Sequence, residues 1–575
     1  MISTIRIEQN VPMVMRDGVI LRADVYRPDD KDKHPAILMR TPYNKVNMED
    51  MASPKFDFIM AGYAIVFQDV RGRFASEGKY EAGDPSLSRE GADGYDSVEC
   101  LANQPWCDGN ICTAGASANG HLQWILAEEN PPHLKAISPW MVGPTQDVGR
   151  PIGVTILSVV VSNTAFMALD IADKLEKSGK DVSEMRQMVK LAATNPEEVY
   201  NFLPLKDAPH FMFEGIQEMW RARISNAVPD SKATRDVPFP YEKIKVPCFY
   251  VSGWYDNFAE STIDSFLKMR NKGSSKLVRE GQYIVMGPWS HGQLIGSLGD
   301  IDFGSPFGIA DARGAQIAQQ NIAFYDKYLR GKDIKLPAVN YFVMGRNVWK
   351  TADAWPPPQN QWQRFFLHSG GSANNSSDNG ILTKDEPGSE PVDIFVYNPQ
   401  LPVPTTGGRG RAACGFVCGP IEQSHVERRD DVLLYTTPEL KEDIEISGPL
   451  KLHLFAATSA RDTDFTAKFC DVYPDGRSFN VTDGIIRARY RKGVVPKLIN
   501  PGEVNEYIID LGNVSQVFRK GHKIRIDISS SNFPTYDRNM NTGNPIGEDA
   551  YGITATQTIY HSSIYASYID LPVIP

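Results

Sequence analysis

A serine set among small residues is the first place where this sequence could perform chemistry. Ser117 has Gly115 two residues before it and Gly120 three residues after it, between an apolar run at 111–116 and a helix-like stretch at 121–127. This layout is typical of a nucleophile elbow, a sharp turn that exposes the serine Oγ while small neighbours let strand and helix approach closely. The helix N-terminus would direct backbone N–H groups at an oxyanion formed beside the serine. Because plain glycine-rich turns are also common, the motif needs support from elsewhere in the chain.

Support comes from a carboxylate and an imidazole farther along the chain. Asp256 lies in a turn just past one predicted strand, and His291 lies in a turn just past the next. In α/β-hydrolases the nucleophile, the acid and the histidine follow in this order, each on a loop at the carboxyl end of a strand. The chain has only 10 histidines, so this order at two strand ends is not expected by chance. The sequence therefore predicts a catalytic triad of Ser117, Asp256 and His291.

Other polar residues near the motif have simpler interpretations. His121 lies one helical turn after Ser117, and a helix residue at that spacing points away from an elbow serine, so it is not expected to be the base. Asp69 with Arg71 and Arg73 could supply an acid and an anion clamp. We interpret them instead as a structural salt bridge beneath the site, because buried charges need partners.

The elements that must position these residues are typical of a parallel sheet. Short apolar runs that alternate with helix-like stretches predict strands covered on both faces. Ligands of such sheets bind at the carboxyl ends of the strands, which is where Tyr43, Asp69 and Ser117 fall. The runs lie at 35–40, 64–68, 111–116, 246–253 and 283–287.

The remaining segments predict two additions to this sheet. Helical patterns at 166–177, 183–193 and 211–224 replace the strand signals and indicate a cap over the site. Beyond the prolines at 356–358 the chain is rich in period-two strand patterns, which favours a jelly-roll β-sandwich. We therefore predict an α/β-hydrolase domain with a helical cap insertion and a C-terminal jelly roll. The expected division is 1–143 and 245–354 for the two parts of the hydrolase domain, 144–244 for the cap and 355–575 for the jelly roll.

Composition and charge exclude several classes of partner and cofactor. A formal charge of −10 over 575 residues, without a basic cluster, argues against nucleic acid or an anionic membrane as the main partner. The N-terminus lacks the pattern of a signal peptide and no apolar run reaches the length of a membrane span, so we expect a cytoplasmic protein. Seven cysteines suggest reduced thiols. Cys414 and Cys418 have no second Cys/His pair nearby, so we predict neither a metal nor another cofactor.

Several motifs together resemble the cocaine esterase family, which belongs with the X-prolyl dipeptidyl aminopeptidases and the α-amino-acid ester hydrolases. The resemblance runs nearly end to end, and it implies the same three-part architecture. The motifs are Arg16-Asp17-Gly18-Val19-x-Leu21, Thr41-Pro42-Tyr43, Gln68-Asp69-x-Arg71-Gly72, the serine turn at 115–120, Gly253-Trp254-Tyr255-Asp256, Gly287-Pro288-Trp289-Ser290-His291, Asp462-Thr463-Asp464-Phe465 and Ser529-Ser530-Ser531-Asn532-Phe533-Pro534.

The resemblance also implies roles for matching residues. Ser117 would be the nucleophile, His291 the base and Asp256 the orienting acid, while the Tyr43 hydroxyl and the Ala118 backbone N–H would form the oxyanion hole. It further implies a homodimer, because relatives commonly form homo-oligomers.

The pocket wall departs from the family pattern. The family usually has tyrosine directly after the serine, whereas this chain has Ala118 followed by Asn119. The backbone N–H survives this change, so we expect the wall of the pocket to differ and the chemistry to remain. Trp140 and Phe258, near strand ends, are predicted with Asn119 to line the substrate pocket.

These residues predict a small-molecule serine hydrolase that cleaves an ester, or an amide, through an acyl-enzyme. One alternative keeps the triad but transfers the acyl group to an amine or alcohol. Another is an α-amino-acyl ester hydrolase or dipeptidyl peptidase, which would need carboxylates such as Asp147 and Asp170 for an ammonium group. A third is a binding protein with a vestigial hydrolase domain.

Overall fold

The computed structural model describes residues 4–47, 55–80, 89–144, 151–225, 239–294, 296–304, 315–374, 379–411 and 416–575. Within these ranges the chain forms two large sheets, a short hairpin and a helical layer. None of the described helices has the length and apolar character needed to span a lipid bilayer.

The first twelve strands form one large sheet and the hairpin. In chain order they are β1 (Ile5–Val14), β2 (Ile20–Pro28), β3 (His34–Thr41), β4 (Ala64–Asp69), β5 (Cys107–Ala116), β6 (Leu134–Trp140), β7 (Cys248–Tyr255), β8 (Gln282–Ser290), β9 (Ser297–Leu298), β10 (Ile301–Asp302), β11 (Val339–Val343) and β12 (Val348–Ala352). The large sheet has the order β1-β2-β4-β3-β5-β6-β7-β8-β11-β12, and β9 pairs with β10.

The centre of this sheet is parallel, and its edges are antiparallel. Every pairing from β4 through β3, β5, β6, β7 and β8 to β11 is parallel, whereas β1, β2 and β12 pair antiparallel. Strands β3, β4, β7 and β8 are buried along their whole length, as continuous apolar runs in parallel sheets should be. Their carboxyl ends share one edge, and the candidate residues follow those ends.

Eleven helices accompany the described strands. Six of them, α1–α3 and α8–α10, belong with the large sheet or lie beside it, and α4–α7 form the cap. In chain order they are α1 (Lys55–Met60), α2 (Glu90–Ala102), α3 (Ala118–Glu128), α4 (Leu157–Lys177), α5 (Ser183–Thr194), α6 (Glu197–Asn201), α7 (Gln217–Ser225), α8 (Ala259–Lys272), α9 (Lys276–Glu280), α10 (Ala315–Leu329) and α11 (Ser424–Glu427). Short 3-10 turns occur at Leu205–Asp207, Pro209–Phe211, Tyr241–Lys243 and Ala488–Tyr490.

The cap lies between β6 and β7 and has a hydrophobic core of its own. Helices α4 to α7 bury Leu157, Val161, Phe211 and Trp220 together. Helix α4 begins nine residues before the predicted start at 166. The β-branched run Val159-Val160-Val161 favours a strand by local propensity, so the sequence pattern does not predict the first turns of this helix. Packing within the cap outweighs that propensity and makes the segment helical.

The C-terminal part is a β-sandwich of jelly-roll character. Its strands are β13 (Gln361–Ser369), β14 (Gly380–Thr383), β15 (Asp393–Tyr397), β16 (Leu433–Thr436), β17 (Ile444–Thr458), β18 (Asp464–Val472), β19 (Ser478–Arg487), β20 (Asn505–Phe518), β21 (Lys523–Ser529), β22 (Ala555–Tyr560) and β23 (Tyr568–Ile574). The order is β15-β22-β17-β23-β13-β14-β16-β21-β18-β19, and β20 also pairs with β17. This layer of strands confirms the predicted fold class, whereas the residue limits of the four segments stay a prediction.

Candidate active site

The turn after β5 holds Ser117 in a strained conformation. Its φ of 58° and ψ of −125° lie where few residues other than glycine are found. Its backbone N–H donates to the Trp140 carbonyl at 2.9 Å, which ties the turn to the end of β6. A Cβ on Gly120 would come within 2.5 Å of Val142 Cγ1, so only glycine lets α3 pass this closely. The observed geometry is that of the predicted elbow.

Three side chains form one hydrogen-bonded chain at the carboxyl edge of the sheet. His291 Nε2 lies 3.0 Å from Ser117 Oγ, and His291 Nδ1 lies 2.9 Å from Asp256 Oδ1. Asp256 is 0% exposed and His291 is 7% exposed. The structure thus brings together the three residues that the sequence predicted as a triad, in an arrangement suited to proton transfer from the serine.

The Asp256 carboxylate is held by two further donors. Its Oδ2 accepts from Ser252 Oγ at 2.8 Å, and its Oδ1 accepts from the Phe258 backbone N–H at 2.9 Å. These contacts fix the carboxylate so that one oxygen faces the imidazole. Sequence reasoning missed Ser252, although a serine within the last residues of a predicted buried strand was an available signal.

A buried glutamine on α3 stabilises the turn at Ser117 through side-chain hydrogen bonds. Gln123 Nε2 donates to the carbonyls of Gly115 and Ser138, each at 3.1 Å. Its Oε1 accepts from the Ser138 backbone N–H and from Thr113 Oγ1, both at 2.9 Å. This side chain therefore connects β5, β6 and α3 around Ser117. Its sequence signal was one polar residue inside the otherwise apolar run at 122–127.

A loop from the jelly roll contacts the backbone of His291. The His291 backbone N–H donates to the Gly410 carbonyl at 3.0 Å. Arg409 anchors this loop by donating to the Trp254 carbonyl at 3.1 Å and by pairing with Glu260 at 3.1 Å. The jelly roll therefore helps to position the imidazole, a connection that local sequence patterns did not indicate.

The two residues implied for an oxyanion hole lie on elements around the serine. Ala118 is the first residue of α3, directly after Ser117. Tyr43 follows β3, and its ring packs edge-on against Phe166 of the cap at 5.1 Å between centroids. Burial raises the pKa of the Tyr43 phenol, so it stays protonated at neutral pH and can donate a hydrogen bond.

The residues predicted to line the pocket have different surroundings. Phe258 packs edge-on against the His291 ring at 5.2 Å between centroids. Trp140 Nε1 donates to Ser138 Oγ at 2.8 Å, so its indole is oriented by the sheet. Asn119 is 3% exposed, and its Cβ lies against Gly115. Contact of Trp140, Phe258 and Asn119 with substrate stays a prediction.

The expected salt bridge between Asp69 and the two arginines is wrong. The structure pairs Arg71 with Asp93 at 2.6 Å and Arg73 with Asp170 at 2.5 Å. Asp69 instead accepts from the backbone N–H groups of Lys45 and Ala75. The prediction failed because the partners lie on α2 and α4, which are distant in sequence and unrelated to the local motif.

The other candidates are also placed. The imidazole beside Ser117 Oγ is that of His291, whereas His121 donates its backbone N–H to the Ser117 carbonyl as part of α3. Asp170 is shared by Arg73 and Lys174, so this carboxylate is already neutralised. Asp147 lies outside the described residues.

One group of potential metal ligands occurs among the described residues, within the jelly roll. The ligand atoms of Glu427, Cys470 and Asp527 all lie within 4.8 Å of one another. Arg525 already pairs with Glu427. Burial, and then the Glu427 charge, raise the pKa of Asp527, which favours a protonated carboxyl beside the carboxylate. We interpret this group as a structural charge cluster. Of the two cysteines considered from sequence, Cys418 is buried and Cys414 lies outside the described residues.

Comparison with known proteins gives matches to two family models and to relatives that cover nearly the whole chain. The model described as X-Pro dipeptidyl-peptidase (S15 family) matches residues 17–293. The model described as X-Pro dipeptidyl-peptidase C-terminal non-catalytic domain matches residues 333–570. The cocaine esterase of Rhodococcus sp. (strain MB1 Bresler) is 35% identical over 587 aligned residues, which cover 99% of this chain and 98% of that protein.

Two solved structures share the fold over nearly the whole chain. An aminopeptidase from the marine sediment archaeon Thaumarchaeota archaeon superposes with a TM-score of 0.76 at 24% identity, over 100% of this chain and 96% of its own. An α-amino acid ester hydrolase superposes with a TM-score of 0.75 at 24% identity, over 99% and 96%. At these identities the two structures establish the fold, and the relationship itself rests on the longer sequence match. On that match, the chain belongs to the cocaine esterase family of serine hydrolases.

Proposed function

We propose that this enzyme hydrolyses small carboxylic esters through an acyl-enzyme on Ser117. The observation that carries the proposal is the continuous chain of hydrogen bonds from Ser117 Oγ through His291 to Asp256. Proximity of nucleophile, base and orienting acid is what acyl transfer to a serine requires. A relative that covers nearly the whole chain, at 35% identity, is named an esterase, which favours an ester over an amide.

The proposed reaction has two halves. Ser117 Oγ attacks the ester carbonyl while His291 Nε2 takes the serine proton, and the same nitrogen then protonates the departing alcohol. Water attacks the acyl-enzyme with His291 again as base, and the acid and the free serine are released. In both halves the oxyanion accepts hydrogen bonds from the Tyr43 hydroxyl and the Ala118 backbone N–H.

The test of this proposal is labelling by a fluorophosphonate probe. We expect one probe molecule to attach to Ser117, identified by mass spectrometry of the labelled peptide, with ester turnover lost in parallel. Prior incubation with an ester substrate should slow the labelling. Labelling of a different residue that accounts for the lost turnover would contradict the proposal.

Tyr43→Phe is expected to lower kcat by about 10²-fold, because it removes one of two proposed oxyanion donors. The phenyl ring can still pack against Phe166, so the melting temperature should stay close to that of the wild type. Steady-state kinetics with one ester checks this result. Tyr95→Phe, on α2, removes a hydroxyl elsewhere and serves as the control. Equal turnover in Tyr43→Phe and wild type would exclude the phenol from the oxyanion hole.

Acyl transfer is the second candidate, and the altered residue after the serine, Ala118, is what favours it. A strict hydrolase gives only the acid when an amine competes with water, whereas a transferase gives the amide. Product analysis in the presence of a competing amine distinguishes the two.

The quaternary state and location are also proposed. We propose a homodimer, and the edge strand β15 offers an apolar strip for it, because Ile394 and Val396 are exposed there. The mass in solution from light scattering tests this. A cytoplasmic location is proposed because the described cysteines are free thiols, and fractionation of cells producing the protein tests it.

A further inference from the structure

Three arginines from separate parts of the chain meet one region of α4 beside the proposed site. We call Arg73, Arg223 and Arg411 the arginine cluster. Arg73 follows β4, Arg223 lies on α7, and Arg411 lies on the jelly-roll loop that contacts the base. Their contacts on α4 are Arg411 Nη1 to Asn163 Oδ1 at 2.9 Å, Arg223 Nη1 to Thr164 Oγ1 at 3.0 Å and Arg73 Nη1 to Asp170 Oδ2 at 2.5 Å.

The same face of α4 packs against Tyr43, the residue proposed for the oxyanion hole. Positions 163, 166 and 170 are three and four residues apart, so they share one helix face. Phe166 packs on the Tyr43 ring, and Arg73 Nε donates to the Pro42 carbonyl at 3.0 Å, one residue before Tyr43. The positive charges of the cluster, that of Arg411 foremost, act to lower the pKa of the Tyr43 phenol against the effect of burial. The cluster therefore lies beside Tyr43, on the side of the site that faces α4.

Arg411 has donors to spare and no anionic partner among the described residues. Its one hydrogen bond there goes to the neutral amide of Asn163, whereas a guanidinium carries five N–H donors. Nearby, Arg73 and Lys174 share the single carboxylate of Asp170. Arg73 Nη2 is buried without a hydrogen-bond partner in the described part of the chain. A partly buried positive field with unused donors favours the binding of an anion.

The backbone places Arg411 next to the reacting groups. It forms a parallel bridge with His291, and Gly410 before it accepts from the His291 N–H. From this bridge the guanidinium extends to Asn163 on α4, so it lies between the His291 segment and the cap helix that packs on Tyr43. Because a guanidinium matches the two oxygens of a carboxylate, a carboxylate is the anion that this geometry suits best in an ester substrate.

We propose that the site takes esters that carry a second, free carboxylate, and that Arg411 binds this carboxylate and sets the specificity. The inference rests on the proposed function and names its substrate class. The carboxylate belongs either to the acyl chain or to the alcohol, and the two sources present the same group to Arg411. An ammonium-bearing substrate is disfavoured, because Asp170 is already shared by two cations.

Two matched pairs of esters test the inference. In the acyl pair, the nitrophenyl monoester of adipate is compared with the ester in which an isopropyl group replaces the carboxylate. In the alcohol pair, the butyrate ester of hydroxyphenylacetate is compared with that of isobutylphenol. For each pair, kcat/KM is measured for the wild type, Arg411→Gln, Arg411→Lys and the control Arg186→Gln. Arg186 is paired with Asp173 and Glu176 on the cap, so its replacement removes the same charge from another place.

The charged ester should be preferred in at least one pair, and that pair identifies the source of the carboxylate. Arg411→Gln should lower the ratio of charged to neutral kcat/KM by about tenfold or more, because only the charged ester can pair with the guanidinium. Arg411→Lys should keep part of the preference, and Arg186→Gln all of it. Added salt should reduce the wild-type preference.

Three results would overturn the inference or its basis. A wild-type ratio of one or less in both pairs would show that no carboxylate is recognised. An equal loss for charged and neutral esters in Arg411→Gln would show that the arginine supports the oxyanion alone. Both results leave the proposed function intact. Failure to hydrolyse any of the four esters, with Ser117 unreactive to fluorophosphonate, would remove the proposed function and the inference together.

Discussion

Ser117→Ala is expected to lower kcat for ester hydrolysis by at least about 10⁴-fold and towards 10⁶-fold. Without Oγ no acyl-enzyme forms, and the residual rate comes only from substrate positioning and the oxyanion donors. Alanine meets the same backbone strain as serine at a φ of 58°, so the fold should be unaffected. Single-turnover kinetics at high enzyme concentration measures the remaining rate.

The control for this variant must separate lost chemistry from lost structure. Ser183→Ala removes a hydroxyl on the cap surface, where Ser183 Oγ bonds to Asp181, and should keep full turnover. Ser117→Ala should keep the melting temperature and the KM of the wild type within a few-fold. Turnover within tenfold of the wild type, with contaminating esterase excluded by active-site titration, would show that Ser117 is not the nucleophile.

The triad could be predicted because its signals are local. Each member follows a buried strand, and parallel strands bring their carboxyl ends to one edge whatever happens in the intervening chain. Ser117 and Asp256 are far apart in sequence because the cap lies between them in the chain. The cap is an insertion between two strands and does not change how those strands are arranged in the sheet. The order serine, acid, histidine is therefore unaffected by the insertion of the cap between β6 and β7.

The residues around the triad could not be predicted in the same way. Gly410 and Arg411 reach His291 from a loop of the jelly roll, more than one hundred residues away in sequence. Loops carry no periodic pattern, and the contact depends on how two domains pack. The expected salt bridge of Asp69 failed for the same reason, because its supposed partners bind carboxylates on α2 and α4. Sequence patterns specify the scaffold here, and packing between segments specifies the pocket.

The role of Asp256 can be separated into orientation and charge. Its Oδ1 accepts from both His291 Nδ1 and the Phe258 N–H, while Oδ2 accepts from Ser252 Oγ. In Asp256→Asn, the side-chain oxygen can take the place of Oδ1. The side-chain nitrogen can take the place of Oδ2 and donate to Ser252 Oγ, because a hydroxyl can also accept a hydrogen bond. The imidazole would then keep its orientation and its tautomer and lose only the negative charge that stabilises the imidazolium.

Asp256→Asn is therefore expected to lower kcat by about 10³-fold, and Asp256→Ala by more, because alanine leaves the imidazole and the Phe258 N–H without an acceptor. KM should change little in either variant, since the carboxylate is fully buried behind the base. Steady-state kinetics on one neutral ester measures both losses. The control Ser252→Ala keeps the negative charge of Asp256 and should lower kcat by about tenfold or less. Equal losses of kcat in Asp256→Asn and Asp256→Ala would show that orientation of the imidazole by Oδ1 plays no part. A kcat of Asp256→Asn within tenfold of the wild type would show that the negative charge is not needed.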